Sequence, residues 1–253
     1  MYNQKRPEKQ NRNVFATALV VVTLCCGSNA AQAQSSEYKF QITPYAFMTG
    51  VNGTIGEQGR TANVDASFSD VLHHLNMVAM VYFDARFGRW RAFVDNLYTN
   101  VSDARATAGP LFSSVKVATR MWIVDPEAGY AIVQKEGKEL DVVAGVRIWN
   151  LDNSVTLFAP NFAVDRGSGT RSLANPVVGA AFSSDFRQKM FFFGKADIGT
   201  STDWQAFGGG GYKFNNTIVG SVGYRYLSID HSSGNSIFDV HLNGAIVGLG
   251  FRF

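Results

Sequence analysis

The chain has 253 residues, and its first 33 hold four of the 23 Lys+Arg and one of the 20 Asp+Glu, leaving 19 of each beyond them. The net charge of +3 therefore belongs to the leading segment and gives no sign of nucleic-acid binding, and no nucleic-acid partner is expected. Cys25 and Cys26 also lie in that segment, so the remainder has no disulfide and no cysteine metal site.

In chain order, "MYNQKRPEKQNRN" supplies Lys5, Arg6, Lys9 and Arg12, then "VFATALVVVTLCC" is apolar, then "AQA" closes at Ala33. This order predicts a secretory signal peptide over residues 1–33, cleaved after Ala33, and a mature domain over 34–253. The apolar run is too short for a spanning helix. A lipoprotein reading of Cys25 or Cys26 is the rival, and bulky Leu24 weakens it.

Beyond Ala33 the recurring signal is alternation with period two. In "LNMVAMVYFDARF", Leu75, Met77, Ala79, Val81, Phe83, Ala85 and Phe87 share one side, with Tyr82, Asp84 and Arg86 on the other. Ten strands are predicted, over 38–49, 75–87, 90–101, 115–133, 139–150, 175–185, 189–198, 203–214, 217–229 and 239–253. The joins at 88–89, 135–138, 187–188 and 215–216 are tight, whereas 50–74, 102–114, 151–174 and 230–238 are long. "GTST" is the short exception. Short turns at one end and long loops at the other predict a single-domain, all-β, antiparallel transmembrane barrel, with eight or twelve strands as the alternatives to ten.

A two-residue turn at Gly88–Arg89 pairs Phe87 with Trp90 and places Asp84, Arg86, Arg91 and Asp95 on one face. At "FNN" a two-residue turn would put Tyr212 on the face of Arg225, so a three-residue loop or a bulge is expected. Trp204 and Tyr212 share a face eight residues apart, roughly 20 Å along the membrane normal. Trp90, Trp204, Tyr212, Tyr224 and Tyr226 are the predicted aromatic girdle. At the C-terminal end, Ala245, Val247, Leu249, Phe251 and Phe253 form one apolar face that ends on an aromatic ring.

The candidate chemistry is sparse. "FGGGGYKF" lacks the spacing and the following helix of a phosphate loop, and reads as a glycine-rich strand. Asp84, Arg86, Asp95, Arg120, Arg147, Lys195, Asp197 and Arg225 fall within predicted strands. Facing lipid, each Arg or Lys would cost about 2–4 kcal/mol at the midplane, so all are expected in the lumen, where Arg91 joins them. They make either a charged constriction in a pore or a salt-bridged interior; the narrowness of a ten-strand barrel favours the interior. In "DHSSGN", His231 and Ser233 share a strand face, so the imidazole could activate the hydroxyl. His73 and His74 are adjacent, and on a strand they point to opposite faces. His241 stands alone in the sequence. No metal site and no cofactor are expected.

"ITPYAFMTGVNGTI", "NPVVGAAF", "DWQAFGGGGYKF", "GYRYL" and "GAIVGLGFRF" resemble a broad group of bacterial outer-membrane β-barrel proteins, mostly without an assigned activity. The resemblance implies a Gram-negative outer-membrane location, contact with the bilayer and lipopolysaccharide, and insertion by the barrel assembly machinery. It also implies that Phe251 and Phe253 belong to the assembly signal. The "DHSSGN" stretch weakly resembles the His-x-Ser arrangement of outer-membrane lipid A deacylases, which add a Glu; here only Asp239 could substitute. The expected role is structural or surface-interacting, without a catalytic site. A narrow porin-like pore is the alternative, and a lipid A hydrolase using His231 and Ser233 is the second.

Overall fold

A computed structural model describes residues 39–57, 60–106, 114–135, 137–159, 162–200, 203–233 and 236–253. Residues 1–33, where a signal peptide is predicted, lie outside the described residues. Eleven strands and one short helix follow in order: β1 (Lys39–Glu57), β2 (Arg60–Ala66), α1 (Phe68–His73), β3 (Leu75–Phe87), β4 (Trp90–Ala106), β5 (Ser114–Lys135), β6 (Lys138–Ala159), β7 (Phe162–Phe186), β8 (Met190–Gly199), β9 (Trp204–Lys213), β10 (Ile218–Ser233) and β11 (Ser236–Arg252).

Every ladder is antiparallel; neighbours pair in sequence from β3 to β11, β1 pairs with both β2 and β3, and β11 closes on β1. β2 pairs only with the outer end of β1, so ten strands make the wall. Partners across the ladders run from Asn52 through His241, Ser228, Trp204, Ile198, Val178, Ala144, Ala128, Ala92 and Ala85 to Phe40. The circuit leaves β1 at Asn52 and returns to it at Phe40, a stagger of twelve residues. Such a stagger tilts the strands by roughly 40° to the barrel axis.

Alternation decides which side chains point inward. On β4, Phe93, Asp95 and Leu97 are buried, and Trp90 is 60 % exposed on the outside. Bulky rings ring the exterior near the short turns, including Phe87, Trp90, Tyr130, Phe186, Tyr212 and Phe214. Trp204 and Tyr226 stack at the other edge, with centroids 4.7 Å apart. Tyr224 lies two residues inward of Tyr226 on the same face. Between these edges the exterior is apolar, with Val142, Val178, Val222 and Val247 exposed. The band suits hydrocarbon about 25 Å thick.

The β3–β4 turn has the expected register, with Phe87 opposite Trp90 and Phe83 opposite Val94; Gly88 carries it at φ +58°. At "FNN" the chain turns through four residues, 214–217, and the Asn215 side chain accepts hydrogen bonds from the Thr217 and Ile218 amides. At 187–188 the turn takes a third residue, Lys189, because Phe186 pairs with Met190, and Arg187 adopts φ +61°. Within β9 the glycines have steric work: a Cβ on Gly211 would meet the Phe191 ring at 2.2 Å.

Three expected loops are different objects, 230–238 among them, since β10 runs to Ser233 and β11 begins at Ser236. Residues 151–174 are mostly strand, because β6 and β7 continue their ladder to Ala159 and Phe162. Residues 50–74 contain the end of β1, all of β2, and α1. Ser67 and Asp70 form a capping box at the start of α1, and the Ser67 hydroxyl and amide hold the Asp70 carboxyl below its ordinary pKa. His73 and His74 end this helix rather than sit on a strand. Their Nδ1 atoms lie 2.6 and 2.8 Å from the carbonyls of Ser69 and Asp70.

α1 interrupts the wall. Lys39–Pro44 of β1 pair with β3, and Val51–Glu57 pair with β2. Between them, no ladder joins Tyr45–Gly50 to Leu75–Met80. On the other side of β1, the ladder to β11 passes over Thr43 and Pro44, the latter having no amide hydrogen to give.

Candidate functional site

The lumen is built in layers that each strand repeats. From the short-turn end outward, β4 presents Arg91, Phe93, Asp95 and Leu97: charge, ring, charge, aliphatic. β10 presents Arg225, then Leu227 and Ile229. β6 presents Asp141, Val143, Gly145, Arg147 and Trp149.

The lowest layer is partly wet. Arg91 donates from Nε to Asp84 at 2.9 Å and from Nη1 to Asp141 at 2.9 Å. Arg86 pairs with Glu139 and remains 29 % exposed. These side chains border a vestibule of about 1170 Å³ that reaches from Phe253 and Arg252 at the rim up to Lys195 and Arg225. Within it the rings of Tyr82, Phe93, Phe193 and Phe207 form a collar, with neighbouring centroids 6.1–6.5 Å apart.

The second charged layer is buried, with Asp95, Lys195 and Arg225 closing the top of the vestibule. Arg147, fully buried, donates from Nε to Asp125 at 3.1 Å and from Nη2 to Asp197 at 2.6 Å. Lys195 donates to Glu127 at 2.5 Å and lies 3.4 Å from Asp197. Arg225 donates to Asp95 at 2.7 Å, to the Tyr45 hydroxyl at 3.1 Å and to Gln205 at 2.6 Å. Gln205 joins the two halves by donating to Asp125 and Asp197 at 3.1 and 2.7 Å. Three cations thus face four carboxylates. Glu127 Oε2, Arg147 Nη1 and Arg225 Nε have no hydrogen-bond partner among the described residues.

The outermost layer is apolar. Phe47, Met80, Leu97, Ile123, Trp149, Leu227, Ile229, Val240 and Leu242 pack as one buried cluster across the lumen.

Asp84, Arg86, Arg91, Asp95, Arg147, Lys195, Asp197 and Arg225 all face this interior. Arg120 does not, which corrects the expectation. It follows Trp122 outward along the exterior face of β5, is exposed, and sits opposite Asp152. β5 runs beyond the apolar band, and there a charge meets water. Asp125, Glu127, Asp141 and Gln205 were not singled out from sequence, although each sits two residues along its strand from another lumen residue.

Phe253 exchanges backbone hydrogen bonds with Phe40, at 2.8 and 3.2 Å, in the last rung of the closing seam. Its ring is 73 % exposed. His231 and Ser233 lie on the backbone of β10, and their side chains fall outside the described residues. His241 is not isolated. Its Nδ1 is 3.1 Å from Ser228 Oγ and its Nε2 is 3.3 Å from Asp239 Oδ1.

With the closed ten-strand wall established, comparison with known proteins becomes informative. The outer membrane protease OmpT from Escherichia coli superposes with a TM-score of 0.54 at 9 % identity, covering 89 % of this chain and 100 % of that one. The fold is that of outer-membrane β-barrel proteins. Other similar structures are the translocator domain of autotransporter NalP from Neisseria meningitidis, at 14 % identity, TM-score 0.44 and coverage of 95 % of each chain. The attachment invasion locus protein Ail of Yersinia pestis matches at 13 % identity and TM-score 0.33, covering 85 % of this chain and 98 % of that chain. No protein-family model matches the chain, and no curated protein matches it.

Proposed function

We propose that this is an integral barrel of the Gram-negative outer membrane whose lumen does not conduct and whose work lies in its surfaces, in a structural or surface-interaction role. The observation that carries the reading is the apolar layer from Phe47 to Leu242, stacked on the buried salt-bridged layer. Ions crossing here would have to shed water among side chains that offer no replacement. The apolar exterior supports contact with the bilayer and, at its outer edge, with lipopolysaccharide. The exposed aromatic face of β11 supports delivery by the barrel assembly machinery. In this reading no lumen residue is catalytic, and neither His231 nor Ser233 is.

Conductance of the refolded protein in a planar lipid bilayer tests the reading. The expected trace is flat, and steady conductance on the scale of a general porin would refute it. A narrow passive pore is the second reading, and the vestibule of about 1170 Å³ favours it, since it opens the lumen from the short-turn end as far as Lys195 and Arg225.

A further inference from the structure

The exterior of the β10–β11 hairpin carries a constellation that the lumen does not use. Ser228 and His241 are direct cross-strand partners, and Asp239 stands two residues from His241 on the same face. That face is the outside of the barrel: Val247 and Leu249 share it and are exposed, whereas Val240 and Leu242 point into the buried apolar layer. Its height is set by aromatics. Tyr226, two residues inward of Ser228, stacks on Trp204, and its ring lies 6.0 Å from the His241 ring. Aromatic rings at this edge mark the level where hydrocarbon gives way to headgroups. The carbonyls of lipid acyl esters lie at the same level.

The bonding has a direction. Nε2 of His241 lies 3.3 Å from Asp239 Oδ1, an ion-pair distance, and this carboxylate favours the tautomer with its proton on Nε2. Nδ1 is then the basic nitrogen, and it faces the Ser228 hydroxyl at 3.1 Å. A carboxylate that orients an imidazole, which in turn takes a proton from a hydroxyl, is the arrangement that turns serine into a nucleophile. Ser228 is recessed, 5 % exposed, while the side chains of His241 and Asp239 are open at 35 % and 43 %. Asn243 stands diagonally from Ser228 and accepts a hydrogen bond from the Tyr224 hydroxyl through Oδ1 at 3.0 Å.

We propose that Ser228, His241 and Asp239 form a nucleophilic site that hydrolyses carboxylic acyl esters of lipids in the outer leaflet. Ser228 Oγ adds to the ester carbonyl carbon as its proton passes to His241 Nδ1. The carbonyl–alkoxy bond then breaks, and that proton goes to the leaving alcohol. Water attacks the acyl-serine, loses a proton to His241, and releases the fatty acid while Ser228 regains its hydrogen. No oxidant, metal or co-reactant other than water enters. The site lies outside the lumen, so it stands whether or not the barrel conducts.

A fluorophosphonate probe on the folded protein in detergent, with labelled residues located by mass spectrometry, tests the nucleophile. Release of fluorescent fatty acid from phospholipid vesicles containing the protein tests the substrate class. Ser228 is expected to be the labelled residue. Ser228→Ala abolishes label and release, His241→Gln slows both by at least about 100-fold, and Asp239→Asn by at least about tenfold. Heat-modifiable gel mobility verifies that each variant is folded. If Ser228→Ala does not fold, Ser228→Cys replaces it, and its alkylation by iodoacetamide is expected to slow at least about tenfold when His241→Gln is added. An unlabelled Ser228, labelling or alkylation that ignores His241→Gln, or a labelled protein that releases no fatty acid from vesicles would each overturn the proposal.

Discussion

The lower and upper charged layers of the lumen use the same residue types to different ends. Arg86, beside the vestibule, keeps 29 % of its side chain in contact with solvent, whereas Arg147 has none. At the wet end an ion pair is more replaceable, because Arg86 can turn to water and Glu139 keeps Arg91 at 3.9 Å when Arg86 is removed. In the buried layer each charge is tolerated only because its partner is present, so the layer specifies one arrangement of five strands. Burial, more than the number of salt bridges, decides how much each one matters.

The largest expected effect comes from Arg147→Met, which leaves Asp125 and Asp197 facing each other without their shared cation. It should lower stability by about 3–5 kcal/mol, read as a fall in the urea midpoint. Arg225→Ala follows, at about 3 kcal/mol, because Asp95 keeps its hydrogen bond from the Tyr45 hydroxyl at 2.7 Å. An unchanged midpoint in either variant would mean that the buried layer is hydrated after all. Next is Leu227→Ser in the apolar layer, expected to cost about 2–4 kcal/mol and to give the flat bilayer trace intermittent openings. The smallest effect is that of Arg86→Ala, below about 1 kcal/mol and shrinking further in 1 M salt, where screening reaches only about 3 Å. A larger loss there would erase the distinction between the layers.

Much of the wall was legible because alternation reports which side of a strand is buried. The register at Gly88–Arg89 followed from a turn of known length, and with it the common face of Asp84, Arg86, Arg91 and Asp95. The extension of β6 and β7 was not legible. Outside the apolar band a ladder continues through backbone hydrogen bonds alone, and "DNSVTLFAPNFAVDRGSG" carries no strict alternation to betray it. α1 was hidden for a related reason: six residues are too few for helical periodicity to stand out. Ser228 and His241 are thirteen residues apart, and only the hairpin register makes them neighbours. The available signal was Gly234–Asn235, a dipeptide suited to a two-residue hairpin turn, which places Ser233 opposite Ser236 and so Ser228 opposite His241.

The unladdered stretch between β1 and β3 has a kinetic consequence. Even-numbered residues of β1 aim their amides at β11, as Phe40 does. The amides of Tyr45, Phe47 and Thr49 therefore point across the gap toward β3, with no ladder partner to receive them. They should exchange deuterium well before the amides of β6, whose ladders are continuous through Val142 and Val143 on both sides. β1 would then be the first stave to loosen when the barrel comes apart, and the last to seat when it is assembled.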